Sequence, residues 1–361
     1  MHRRRRFRKP ERRVSVGGMT VSRFRTLALR SAAALLPLCL LAAADPPPDR
    51  PGPNDIVAAA PPSAWVKIAP EDLLVMDLAP DAKGRARRVV IQLIAAPISE
   101  PWVVNIRKLA AAHWWDGLAI VRVQDNYVVQ WGDPDGEDTA RARPLPKGVA
   151  PLVDQGSPHR NGYVADLPNH EGPGPLGEFR SPPPVLGPDS YVRNPHFYKS
   201  WPMANGLRAR TGAVAGLPPT YDAWPVHCYG MVGVGRNLSP DMGSGAELYT
   251  VIGHAPRHLD RNIALVGRVV EGIEHLSSLP RGTGALGFYE TPEERTVIRS
   301  VRLATELPAA ERPQLEYLDS LSESFAAYAK ARANRQDAFF NIPAGAADIC
   351  NIPIPIRKIT Q

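Results

Sequence analysis

Between Gly117 and Pro134 the chain reads GLAIVRVQDNYVVQWGDP. Apolar residues run on both sides of a break at Asp125-Asn126, the signature of two short strands joined by a tight turn. A cation, Arg122, sits inside the first run, and Gln130 sits inside the second. An unpaired charge in a packed strand is costly, so Arg122 has either a structural partner or a chemical task.

The other apolar segments extend this pattern. Leu73–Leu78 and Arg88–Ile94 read as a hairpin around Gly84. Cys228–Val234, Leu248–Ile252, Ile263–Val269 and Arg295–Leu303 read as further strands. A helix is expected after Ser99, which is placed to cap it, with Pro101 in the first turn and Val103, Ile106 and Leu109 on one face. A short helix is expected over Glu271–Leu279. Many short strands with few helices indicate a mainly β barrel or sandwich.

The ends and the middle differ in composition. Residues 1–30 are rich in Arg, and residues 31–44 form an apolar run that closes on three alanines. A basic start, a short apolar stretch and a small-residue exit describe a secretory signal peptide, which implies a periplasmic or secreted protein. That run is shorter than the roughly 20 residues a spanning helix needs, so the mature chain is expected not to span a membrane. Residues 1–44 hold 11 Lys and Arg against one Glu; the remaining 317 residues carry 32 basic and 35 acidic side chains. Without the leader the protein is slightly acidic, which argues against a nucleic-acid partner.

Residues 45–62 are Pro-rich and read as an extended tether. Residues 63–305 form the domain, interrupted over about 135–225 by a long Pro- and Gly-rich insertion of loop character. Residues 306–361 form a C-terminal extension, with an amphipathic helix expected over Leu315–Asn334 and a proline-broken tail against the surface. Cys228 and Cys350 are the two cysteines beyond the leader; they can pair with each other or remain free thiols.

Several chemistries lack their markers. His254 and His258 have metal-ligand spacing, but Pro256 between them opposes a helix. Gly233-Val234-Gly235 lacks the third glycine and the βαβ setting of a dinucleotide loop. No metal and no cofactor are expected.

On the remaining motifs the chain resembles the cyclophilin-type peptidyl-prolyl isomerases. That family's Phe-His-Arg strand, followed by Phe-Met-x-Gln-Gly-Gly-Asp, is similar to Ile120-Val121-Arg122 and Tyr127-Val128-Val129-Gln130-Trp131-Gly132-Asp133. Its Gly-x-Leu-Ser-Met-Ala-Asn is similar to Gly230–Arg236, and its Asn-Gly-Ser-Gln-Phe-Phe to Ser244–Tyr249. Its Trp-Leu-Asp-x-x-His-x-x-Phe-Gly-x-Val is similar to His258–Val269.

The resemblance implies a closed eight-stranded antiparallel barrel capped by two helices. It implies isomerisation of X-Pro bonds, with Arg122 and Gln130 as catalytic residues. Tyr127, Val128, Gly235, Tyr249, His258 and Leu259 would bind substrate, and the partners would be proline-containing segments of exported polypeptides. Glu247 and Ile263 replace the family's Gln and His. The alternative is a cyclophilin-like binding or chaperone module with little turnover.

Overall fold

The computed structural model describes residues 50–156, 165–167, 186, 189–192, 195–207 and 221–359; the expected signal peptide lies outside them. Eight antiparallel strands close into a barrel. They are β1 (Leu73–Leu78), β2 (Arg87–Leu93), β3 (Ala119–Val123), β4 (Val128–Gly132), β5 (Met231–Val234), β6 (Leu248–Val251), β7 (Leu265–Glu271) and β8 (Thr296–Leu303). The order around the barrel is β5-β6-β4-β3-β8-β1-β2-β7, with β7 returning to β5.

The interior is filled by alternate side chains, among them Leu74, Met76, Ile91, Ile120, Val129, Trp131 and Leu248. Residues of opposite parity on β1 and β2 are also buried. Leu73, Val75 and Val90 pack with Ile68, Ala304 and Leu315 in a second cluster outside the barrel. Strands buried on both faces carry continuous apolar runs, which accounts for the sequence Leu73-Leu74-Val75-Met76.

Helix α1 (Glu100–Ala111) packs against the barrel, and a four-residue helix, α2 (Glu274–Ser277), is shorter than the sequence suggested. Ser99 holds the N-cap position of α1, yet its φ of 51° is left-handed and its side chain does not cap. Its Oγ is buried without a partner. The helix is instead fixed by its flank. Trp102 Nε1 donates to the carbonyls of Met242 and Gly243, and Asn105 donates to that of Ser244. These bonds hold the 242–246 segment that forms one wall of the site described below.

Three outlying segments depart from expectation. The Pro-rich stretch is not a bare tether: Pro53–Ala58 is helical, Pro53 and Ala60 are buried, and the helix packs on helix Glu323–Ala333. The insertion is not all loop. Strands Ala165–Leu167, Tyr221–Pro225, Trp201–Leu207 and His196–Tyr198 form a four-stranded sheet in that order. Its hairpin turns at Lys199-Ser200, both at positive φ, where a sequence reading looks for Asn-Gly.

The expected helix from Leu315 begins only at Glu323. Leu315–Leu318 is instead the central strand between Trp65–Lys67 and Ile356–Lys358. Ser322 caps the helix by accepting from the Phe325 amide. The tail pairs from Ile356, the first residue after its last proline. Cys228 and Cys350 are disulfide-bonded, which joins this extension to the barrel. Among the described residues no helix is long and apolar enough to cross a membrane.

Arg268 on β7 holds these parts together. It is fully buried, donates to Gln92 Oε1 and to the Ser200 carbonyl, and lies under the rings of Trp201 and Tyr317. Barrel, insertion and C-terminal extension therefore share one cation. Burial pulls its pKa down to about 9.

Candidate active site

The site lies on the outer face of the barrel, where four strands present one row of residues. A β-bulge between Ile120 and Arg122 sets Arg122 opposite Gln130. A regular pairing would have continued with Val121 there, so the bulge aims the guanidinium along the row. Gln130 pairs in turn with Tyr249, and Tyr249 with Gly233.

Arg122 is held from three sides. Its Nε donates to the Leu286 carbonyl at 2.7 Å, its Nη2 to Gln124 Oε1, and its Nη1 to Gln130 Oε1 at 3.4 Å. The rings of Tyr127 and Phe288 lie 5.6 and 5.3 Å from the guanidinium carbon. A guanidinium has five N–H groups, so two remain to donate elsewhere. Burial lowers its pKa from the ordinary value, opposed by Tyr127. It remains a cation at neutral pH.

A cavity of about 110 Å³ opens beside it. Arg122, Tyr127, Val128, Gln130, Gly235, Tyr249 and Leu259 line it, together with Val234, Arg236 and Ile263. Seven of the eight residues singled out from sequence thus meet in one cavity. His258 does not line it; this exposed ring stacks on Tyr127 at 6.4 Å. The cavity sets Val128, Val234, Leu259 and Ile263 beside the donors of Arg122, Gln130 and Arg236, a mixed lining of apolar side chains and placed polar groups.

The model of the cyclophilin type peptidyl-prolyl cis-trans isomerase/CLD family matches residues 86–303. The chain belongs to this family. Cyclophilin AquaCyp293 from Hirschia baltica is a similar solved structure, covering 85% of this chain and 98% of its own at 19% identity and a TM-score of 0.54. A cyclophilin type isomerase from Cryptosporidium parvum, crystallised in the presence of the dipeptide Ala-Pro, covers 63% of this chain and 98% of its own at 10% identity and a TM-score of 0.33. No curated protein matches. The chain is thus a cyclophilin-type peptidyl-prolyl isomerase by family and has the closed barrel of that fold.

A second cavity of about 480 Å³ adjoins the first and shares Gln130, Gly235 and Arg236 with it. Glu247 stands at the boundary. Its carboxylate accepts from the Asp133 amide at 2.7 Å and from the Gln130 side chain. Glycine makes the space: a Cβ at Gly132 would lie 2.0 Å from Glu247 Oε1, and one at Gly235 would lie 2.9 Å from Glu247 Cβ. Burial pushes the Glu247 pKa up to about 8, and the neighbouring Asp133 and Glu137 carboxylates add to this.

Sequence reasoning found Gln130 but not the other anchors of Arg122. Gln124 lies two residues along the same strand exit, which is a local signal. Leu286 and Phe288 come from a loop more than 160 positions away, with Leu286 at a left-handed φ of 56°. No spacing rule connects them to Arg122.

Proposed function

We propose that this cyclophilin accelerates X-Pro isomerisation in exported polypeptides, with Arg122 stabilising the twisted amide. An X-Pro bond interconverts over a barrier of roughly 20 kcal/mol. Twisting the bond removes amide resonance and leaves the nitrogen a better acceptor. No covalent step is needed; a donor that meets only the twisted state lowers the barrier. The observation that carries this reading is the Arg122 guanidinium, anchored on three acceptors yet keeping two N–H groups beside a cavity with Val128, Leu259 and Ile263 in its lining. The proline ring packs among Tyr127, Val128, Tyr249 and Leu259. Gln130 holds the substrate carbonyl through the N–H that Glu247 does not take. His258 supports Tyr127 from outside.

The export assignment rests on the basic and apolar segment at 1–44 and on the Cys228–Cys350 disulfide, a bond that persists in oxidising compartments. It predicts a periplasmic or secreted protein acting on exported clients. In a protease-coupled assay with a proline peptide, Arg122→Ala is expected to lower kcat/KM about a hundredfold, the usual loss for one preorganised donor. Equal rates for the two proteins would overturn the catalytic role and leave a peptide-binding module.

A further inference from the structure

Tyr249 lines the cavity beside Arg122, and its hydroxyl is engaged by a residue outside that lining. Its Oη lies 2.8 Å from His227 Nε2, and the two rings stack at 6.3 Å. His227 is fully buried, and its Nδ1 lies 2.8 Å from Asp260 Oδ1. A carboxylate only accepts, so Nδ1 carries a proton, and Nε2 makes its hydrogen bond with the tyrosine hydroxyl. The hydroxyl is therefore bonded to a residue that does not line the cavity. Space for the oxygen comes from Gly233, where a Cβ would lie 2.3 Å from it.

The chain of contacts continues outward. Arg257, also buried, donates from Nε to Asp260 Oδ2 at 2.8 Å and from Nη1 to Asp189 Oδ2 of the insertion at 2.7 Å. Asp348 of the C-terminal extension lies 3.6 Å from the same Nη1 and accepts from the Cys350 amide. Cys350 is bonded to Cys228, the neighbour of His227. The contacts thus form a closed circuit from His227 through Asp260, Arg257, Asp348 and the disulfide back to His227.

We infer that His227 is a positioning residue for the isomerase site: clamped by Asp260, Arg257 and the disulfide-linked extension, it fixes the Tyr249 ring as the floor of the proline cavity. This rests on the proline-binding reading of that cavity. Three features support it. The histidine lines neither of the two cavities described above. Its partner Asp260 is held by Arg257, which in turn meets Asp189 of the insertion and Asp348 of the extension. And the oxygen it holds would otherwise be a buried polar group beside an apolar ligand, which is expensive.

The test uses the purified protein labelled at tyrosine. The Tyr249 Cζ resonance is assigned by its loss in Tyr249→Phe, and affinity for Ala-Pro is followed by titration on the same spectra. His227→Leu is expected to shift the Tyr249 resonance and weaken Ala-Pro binding about tenfold. The double variant His227→Leu/Tyr249→Phe removes both polar partners and is expected to bind Ala-Pro more tightly than His227→Leu alone. A resonance that stays in place, an unchanged affinity in His227→Leu, or a double variant as weak as the single one overturns the proposal. Should His227→Leu not fold, Asp260→Asn is read in its place against the same expectations. Ala-Pro affinity does not depend on turnover. Loss of the isomerase reading would show as equal rates for wild type and Arg122→Ala, with these binding results intact. Failure of wild type to bind Ala-Pro overturns both the cavity reading and this inference.

Discussion

Arg122 and Arg268 both project from the outer face of the barrel, and they are treated in opposite ways. Arg268 is sealed by the insertion and the C-terminal extension, with two acceptors and two aromatic faces around it. Arg122 is half-buried, anchored at three points, and borders an open cavity. The same side chain is a joint in one place and a poised donor in the other. What separates them is access: both guanidiniums make three hydrogen bonds, but Arg268 is buried under other parts of the chain while Arg122 borders a cavity open to a ligand.

Four measurements would sharpen or break this contrast. The largest effect is expected from Arg268→Leu. It leaves Gln92 Oε1 and the Ser200 carbonyl buried without a donor, a loss of about 3 kcal/mol in urea-induced unfolding. Next comes Arg122→Ala, with its hundredfold fall in kcat/KM and a change in unfolding free energy below about 1 kcal/mol. If Arg122→Ala proved the more destabilising of the two, the distinction would fail.

The third lies at the boundary between the two cavities. Glu247 titrates at about 8 in the folded protein and near 4.5 in the unfolded chain. Across that window the folded state keeps a proton that the unfolded state has released. Wild-type stability therefore falls as pH rises from about 5 to 8 through this group. Glu247→Gln is expected to remove that part of the slope, which urea titrations at several pH values would reveal. The smallest effect is expected from His258→Ala, about a twofold rise in KM with kcat unchanged, because the ring only supports Tyr127 from the solvent side.

The barrel was largely legible because its strands carry two kinds of signal. Alternation marks those with one covered face, and the run Leu73–Met76 marks one covered on both. Arg122 and Gln130 were legible because a charge and an amide in apolar strands stand out locally. The bulge that turns Val121 aside and brings the pair opposite each other leaves no mark in composition. The insertion sheet escaped because Lys199-Ser200 makes its hairpin turn without glycine or asparagine. Leu315–Leu318 reads equally well as the first turn of a helix. Its choice of strand is made by two partners distant in sequence, Trp65–Lys67 and Ile356–Lys358. The His227 circuit escaped for the same reason, since its members come from four separate segments.

The pairing of Trp65–Lys67 with Leu315–Leu318 also carries a consequence for the order of events during synthesis. Trp65–Lys67, the first strand among the described residues, has its partner about 250 residues later. Strand β1 likewise waits for β8 to close the barrel. Contacts of such separation form late, because a long loop has to be closed first. Trp65–Lys67 therefore waits for its partner until nearly all of the chain has been made, an order that fits the export proposed above.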